Sequence, residues 1–162
     1  MLLRRAGERD VPALLTMLRD PEVAPWWGNY DADRLRADLN DPGSEMFAVE
    51  VGGEVIGVLQ VAEENEPDYR HAALDISLRS DFHHQGLGGE TLRVAIDHLI
   101  DERGHHRLTI DPAAENERAI RCYTTVGFRP VGIMRGYERA PDGRWRDSLL
   151  MDLLAEEYRA GP

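Results

Sequence analysis

Residues 83–89 read His-His-Gln-Gly-Leu-Gly-Gly and lie between an apolar run and a long amphipathic segment. Glycines there let the chain turn tightly and leave backbone N–H groups pointing outward, and a helix beginning near Gly88 adds its positive dipole end. The backbone of His84, Gln85, Gly86, Leu87, Gly88 and Gly89 is therefore a candidate phosphate cradle that needs few basic side chains. No Lys-Ser or Lys-Thr pair makes it a P-loop, its glycine spacing is not the dinucleotide fingerprint, and alone it could equally be a structural turn. In the run Ala72 to Leu78, Leu74, Ile76 and Leu78 fall on one strand face and Asp75 on the other. An acid emerging from an apolar strand is a candidate base or cation-binding group, set against a solvated strand position.

Other chemistries find less support. The pairs His83-His84 and His105-His106 point their members apart, no His-x-x-x-His helix is present and Cys122 is remote, so no metal is expected. A serine hydrolase would need a Gly-x-Ser-x-Gly elbow that the sequence lacks.

The elements that must hold these groups follow from periodicity. Leu2 to Arg5 can form a short strand, and Asp10 is placed to cap a helix carrying Val11, Leu14, Leu15 and Leu18, which Asp20-Pro21 ends. Trp26 and Trp27 fall in a loop before a helix that starts near Asp31, buries Leu35 and Leu39, and stops at Asp41-Pro42-Gly43. Gly52-Gly53 joins Met46–Val51 to Glu54–Ala62 as a hairpin. After Ala72–Leu78 comes a helix with the stripe Leu92, Ala95, Ile96, Leu99 and Ile100, stopping at Gly104. Strand 107–110, helix 116–126 and strands 128–134 and 148–154 complete the order. The strand-helix-strand stretch from Ala72 to Ile110 implies a right-handed crossover, hence two parallel strands in an otherwise antiparallel α/β sheet.

The 162 residues suit one domain spanning 1–162, without repeats or linkers. No run approaches a membrane span, the N-terminus lacks the apolar core of a signal peptide, and Cys122 is the only cysteine, so the cytoplasm is the expected address. A formal charge of −11 opposes nucleic acid and anionic lipid and would favour a cationic substrate, although acidic surfaces also serve solubility.

With Gly86 and Gly88 at the start of the long helix, the chain resembles the GNAT superfamily, whose signature is Gln/Arg-x-x-Gly-x-Gly/Ala; the order of elements from Leu2 to Leu154 is similar throughout. His83 stands where that family has Gln or Arg, so no pyrophosphate contact is assigned to its side chain. The resemblance implies acetyl-CoA as co-substrate, no metal, and two parallel strands that splay so that the pantetheine arm pairs with backbone near Ile76, Ser77 and Leu78. Asn116, Ala119 and Tyr123 match the family's Asn, Ala and Tyr on the next helix, which implies cofactor contacts for the first two and makes Tyr123 the acid that protonates the leaving thiolate; the alternative is a core tyrosine packed with Ile120. Cys122 faces elsewhere on that helix and is not expected to carry acetyl, so direct attack in a ternary complex follows, with Asp75 as the leading base.

Thr109-Ile110-Asp111-Pro112 and Ala119-Ile120-Arg121-Cys122-Tyr123 look like the aminoglycoside 6′-N-acetyltransferases. That likeness implies that Asp75 and Asp111 bind substrate ammonium groups, that Trp26 and Trp27 contact the sugar rings, and that the drug-modifying activity is one of antibiotic resistance. Glu63, Glu64, Glu66 and Asp68 would extend the acidic surface, while the tryptophans could instead cover the core edge. The stretch Gly136 to Met151 also resembles enzymes acetylating protein N-termini, which is the alternative acceptor; a non-catalytic acetyl-CoA or drug sensor is the non-enzymatic one. Homodimers are frequent in the family and stay open here.

Overall fold

The computed structural model describes residues 1–161. Seven strands form one sheet in the order β1-β2-β3-β4-β5-β7-β6: β1 (Leu2–Arg5), β2 (Ser44–Val51), β3 (Glu54–Glu64), β4 (His71–Leu78), β5 (Arg107–Ile110), β6 (Arg129–Arg139) and β7 (Trp145–Leu154). Only β4 and β5 run parallel; the other neighbours are antiparallel. The helices are α1 (Val11–Leu18), α2 (Ala24–Trp27), α3 (Ala32–Leu39), α4 (Leu87–Asp97), α5 (Glu117–Val126) and α6 (Ala155–Ala160).

The alternation of strand side chains sorts the helices onto two faces. On one, Leu92, Ala95 and Ile96 of α4 meet Leu59, Leu74 and Leu108 of the sheet, joined by Tyr123 and Val126 of α5. On the other, Leu14 and Leu18 of α1 and Leu35 of α3 cover Met46 and Val58. The apolar stripe expected over 92–100 is thus the core face of α4, which widens into a π-helical turn at His98–Glu102 before Gly104 (φ +72°) releases the chain.

Several expectations give way. Asp10 makes no side-chain cap on α1; its buried carboxylate accepts from Arg4 at 2.7 and 2.9 Å and from the Gly7 amide at 2.9 Å, the guanidinium being a stronger partner than the amides of a helix end. Trp26 and Trp27 lie in the one-turn helix α2 rather than a loop. The β6–β7 hairpin is longer than the strands 128–134 and 148–154, because β6 is an outer strand exposed at most positions and carries no alternating apolar signal. Its turn is set by Gly143 (φ +88°) and the Gly143 N–H to Ala140 C=O bond of 2.8 Å. The acidic run from Glu63 sits at the start of β4, where Glu63 is engaged by Arg103 and His105, and does not border the cleft at the strand's far end.

Candidate active site

β4 and β5 pair at only three positions, Ala72–Leu108, Ala73–Thr109 and Leu74–Ile110. The cause of the parting lies in the residues after β5. Pro112 has no N–H to offer, and the segment it begins turns to β7 instead: Leu149 N donates to Pro112 O at 2.9 Å, Ala114 N to Asp147 O at 2.9 Å, and Ala113 bridges Ser148. Residues 75–78 of β4 are left without a strand partner on that side. Asp75 and Asp111 each follow the last paired residue, so the strand pleat sends both side chains to the same face at the point of splay.

A cleft of about 480 Å³ occupies the opening. Asp75, Ile76, Ser77 and Leu78 form its β4 wall, Asn116, Ala119 and Tyr123 its α5 wall, and Trp26 and Trp27 stand at its edge. Its end is closed by His84, Gly86, Leu87, Gly88 and Gly89. Gly86, the N-cap of α4, has φ +79° and His84 has φ +61°, so this turn holds two left-handed residues where the helix amides emerge. Gly89 lies under a guanidinium: a Cβ there would come within 3.3 Å of Arg93 Nη1. The sequence thus names most of the lining. Gln85 is the exception in the turn; it is exposed, its amide donates to Asp81 O at 2.9 Å, and it does not line the cleft. Asp111 stands beside Asp75 without lining the cleft itself.

Asn116 caps α5 through Oδ1, which accepts from Ala119 N at 3.2 Å, and so fixes the wall on which Tyr123 stands one turn on. Tyr123 is 6% exposed, its ring edge-on to Phe128 at 6.4 Å.

The model of the acetyltransferase (GNAT) domain matches residues 1–129. The chain belongs to the GNAT acetyltransferase family. The spermidine N(1)-acetyltransferase of Escherichia coli strain K12 is 26% identical over 165 residues, covering 98% of this chain and 88% of that one. The type 1 aminoglycoside N(6')-acetyltransferase of Klebsiella pneumoniae is 27% identical over 161 residues, 87% and 78% of the respective chains. Among solved structures, RimJ of Mycobacterium smegmatis in complex with CoA-disulfide superposes with a TM-score of 0.84 at 27% identity, covering 96% of this chain and 82% of that one. The protein is an N-acetyltransferase, and the splayed parallel pair is that of the GNAT fold.

The GNAT cleft carries opposite charges at its two ends. At the splay, Asp75 is reached by solvent through the mouth while protein closes round it elsewhere; this enclosure, then the neighbouring Asp111 and Glu138 carboxylates, push its carboxyl up to about 7, against the Ile76 amide that favours the anion. Asp111 is raised as well, first by burial and then by Glu138, with the Tyr137 hydroxyl opposing. Burial, reinforced by Asp75, drives the Tyr123 phenol well above its ordinary value, so it remains protonated. At the glycine turn stand Arg93, over Gly89, and Arg118, bonded to His83, and Arg121 lines the same cleft. The sequence assigns no role to any of these arginines, Arg121 appearing only within a motif, nor to Glu138 and Tyr137. The Arg118/Arg121 pair at i, i+3 on α5 was the one available signal.

No helix among the described residues is long and apolar enough to cross a membrane.

Proposed function

We propose that this enzyme transfers the acetyl group of acetyl-CoA to a primary amine of a small, multiply cationic molecule of the aminoglycoside or polyamine kind, directly and within a ternary complex. One observation carries the reading. Two carboxylates, Asp75 and Asp111, leave the same face at the splay, with the buried phenol of Tyr123 close enough to feel both. A cationic acceptor would relieve the mutual repulsion of the carboxylates, and a like-charged one would increase it.

Acetyl-CoA supplies a thioester carbonyl, at which the C–N bond forms as the C–S bond breaks. Asp75 takes the proton that the ammonium must lose, directly or through a water; a carboxyl poised near 7 is suited to accept it at physiological pH. Tyr123, held protonated, donates its hydrogen to the departing sulfur and regains one from solvent. The stretch Ile76–Leu78, which has no strand partner on the β5 side, offers the backbone groups that His83 does not occupy to the pantetheine amides, Asn116 and Ala119 border the arm, and the amides of 84–89 face the pyrophosphate. Trp26 and Trp27 form an aromatic edge for the acceptor. The relatives acting by name on spermidine and on aminoglycosides support this acceptor class.

Thiol release from acetyl-CoA, measured with aminoglycosides, spermidine and N-terminal peptides at matched ionic strength, tests the proposal. Turnover on the first two is the expected result. Turnover on peptides alone replaces the acceptor, and CoA binding without turnover on any of them turns the site into a sensor.

A further inference from the structure

The GNAT signature opens with Gln or Arg, and here that position is His83. Its imidazole is mostly buried, with the side chain 10% exposed, and both ring nitrogens are engaged. Nε2 lies 2.8 Å from Leu78 O, which can only accept, so Nε2 carries the hydrogen and Nδ1 presents a lone pair. Arg118 of α5 donates Nη1–H to that lone pair. The contact ties α5 across the cleft to the first residue of the phosphate turn. Of the three arginines lining the cleft, Arg121 is paired with Glu117 at 3.1 Å and Arg93 lies over Gly89 one turn into α4. Only Arg118 is hydrogen-bonded to the turn itself, and no carboxylate within ion-pair distance neutralises it among the described residues. The Glu22 carboxylate, 3.9 Å from the same His83 nitrogen, is largely solvated and makes no ion pair with Arg118.

We propose that Arg118 supplies the side-chain cation for the cofactor's pyrophosphate that position 83 does not, with His83 as the positioning residue that aims it. This rests on the acetyl-CoA reading above. A guanidinium oriented by a neutral imidazole is pre-set to meet phosphate oxygens, and one left free would first have to be ordered.

The test is calorimetric titration of the intact protein with CoA and with pantetheine, which shares the arm but has no phosphates. Arg118→Ala should weaken CoA about tenfold and leave pantetheine within twofold. His83→Ala should weaken CoA about threefold, and the double variant no more than Arg118→Ala alone, since His83 acts only through Arg118. Arg129→Ala, an equal change of charge on β6 with a Glu157 partner, should leave CoA affinity unchanged. Unchanged CoA affinity in Arg118→Ala, an equal loss toward pantetheine, or an equal loss in Arg129→Ala overturns the assignment. A wild-type protein that binds no CoA overturns the acetyl-CoA reading instead, so the two failures are distinct.

Discussion

Replacing Asp75 with Asn should slow the enzyme and stabilise the fold, and both effects should depend on pH in a way fixed by the same carboxyl. The amide keeps the shape and the acceptor oxygen for the Ile76 amide but cannot ionise. Asp75 is raised from the ordinary 3.8 to about 7, chiefly by enclosure and then by Asp111. A carboxyl raised on folding resists ionisation: stability is intact below the unfolded value, is lost progressively above about 4, and is fully lost once pH passes the folded value near 7. A shift of that size corresponds to about 4 kcal/mol for a sealed group, but water reaches Asp75 through the mouth, and screening reduces the realised cost to on the order of 1 kcal/mol. In a chain of 162 residues this is a rise in Tm of roughly 2–4 °C for Asp75→Asn at pH 8, vanishing near pH 4.

The kinetic consequence runs the other way. A positioned base contributes roughly 10²–10⁴ in rate, and solvent access puts the expected loss toward the low end, about 100-fold in kcat/KM at pH 8. The ratio of wild-type to variant kcat/KM is the informative quantity, because the acceptor amine's own titration cancels. That ratio should be largest above pH 7 and fall toward one at lower pH, where Asp75 is itself protonated. Melting curves at pH 4 and 8 together with kcat/KM across that range are sufficient. A ratio that is flat with pH, with no gain in Tm at pH 8, would refute the reading of Asp75 as an enclosed base.

The other expectations concern separate parts of the cleft. Tyr123→Phe should lower kcat by about 100-fold while calorimetry shows CoA affinity unchanged, since only the hydroxyl is lost and the ring still packs on Phe128. Gly86→Ala, at φ +79° with no atom near its added Cβ, costs conformational energy rather than a clash: about 1–2 kcal/mol, read as a lowered Tm and weaker CoA binding. Arg146 is paired with Glu138, donates to Pro25 O at 2.7 Å and lies 5.5 Å over the Trp26 ring, tying α2 to β7. Arg146→Ala should therefore raise the acceptor KM severalfold and leave the acetyl-CoA KM unchanged in initial-rate assays.

What was legible in the sequence depends on whether a residue's neighbours in the chain are also its neighbours in space. The glycines of 86–89, the stripe of α4 and the alternation around Asp75 are local patterns, and each locates its element. The parallel pairing of β4 with β5 followed from the crossover rule. The length of the pairing did not, because it ends where Pro112 turns to Ser148 and Leu149, partners remote in sequence. The same holds for Glu138, which perturbs Asp75 from an outer hairpin without an apolar pattern, and for Arg118, whose role depends on His83 across the cleft. The acidic run from Glu63 shows the converse, because composition suggested a substrate surface and Arg103 and His105 make Glu63 part of an ion-pair cluster.

The net charge of −11 therefore says less about ligands than its distribution does. Had the acidic excess been uniform, it would have repelled a cofactor rich in phosphates as strongly as it drew a cationic acceptor. The cleft separates the two demands. Arginines from α4 and α5 stand with the helix amides at one end, and Asp75, Asp111 and Glu138 influence the other, with the β5-side edge of Ile76–Leu78, which lacks a strand partner, between them. The phosphate-bearing cofactor and the cationic acceptor proposed above would then meet in one continuous opening, each at the end of opposite charge. Raised salt should accordingly weaken both, through independent ends of the same cleft.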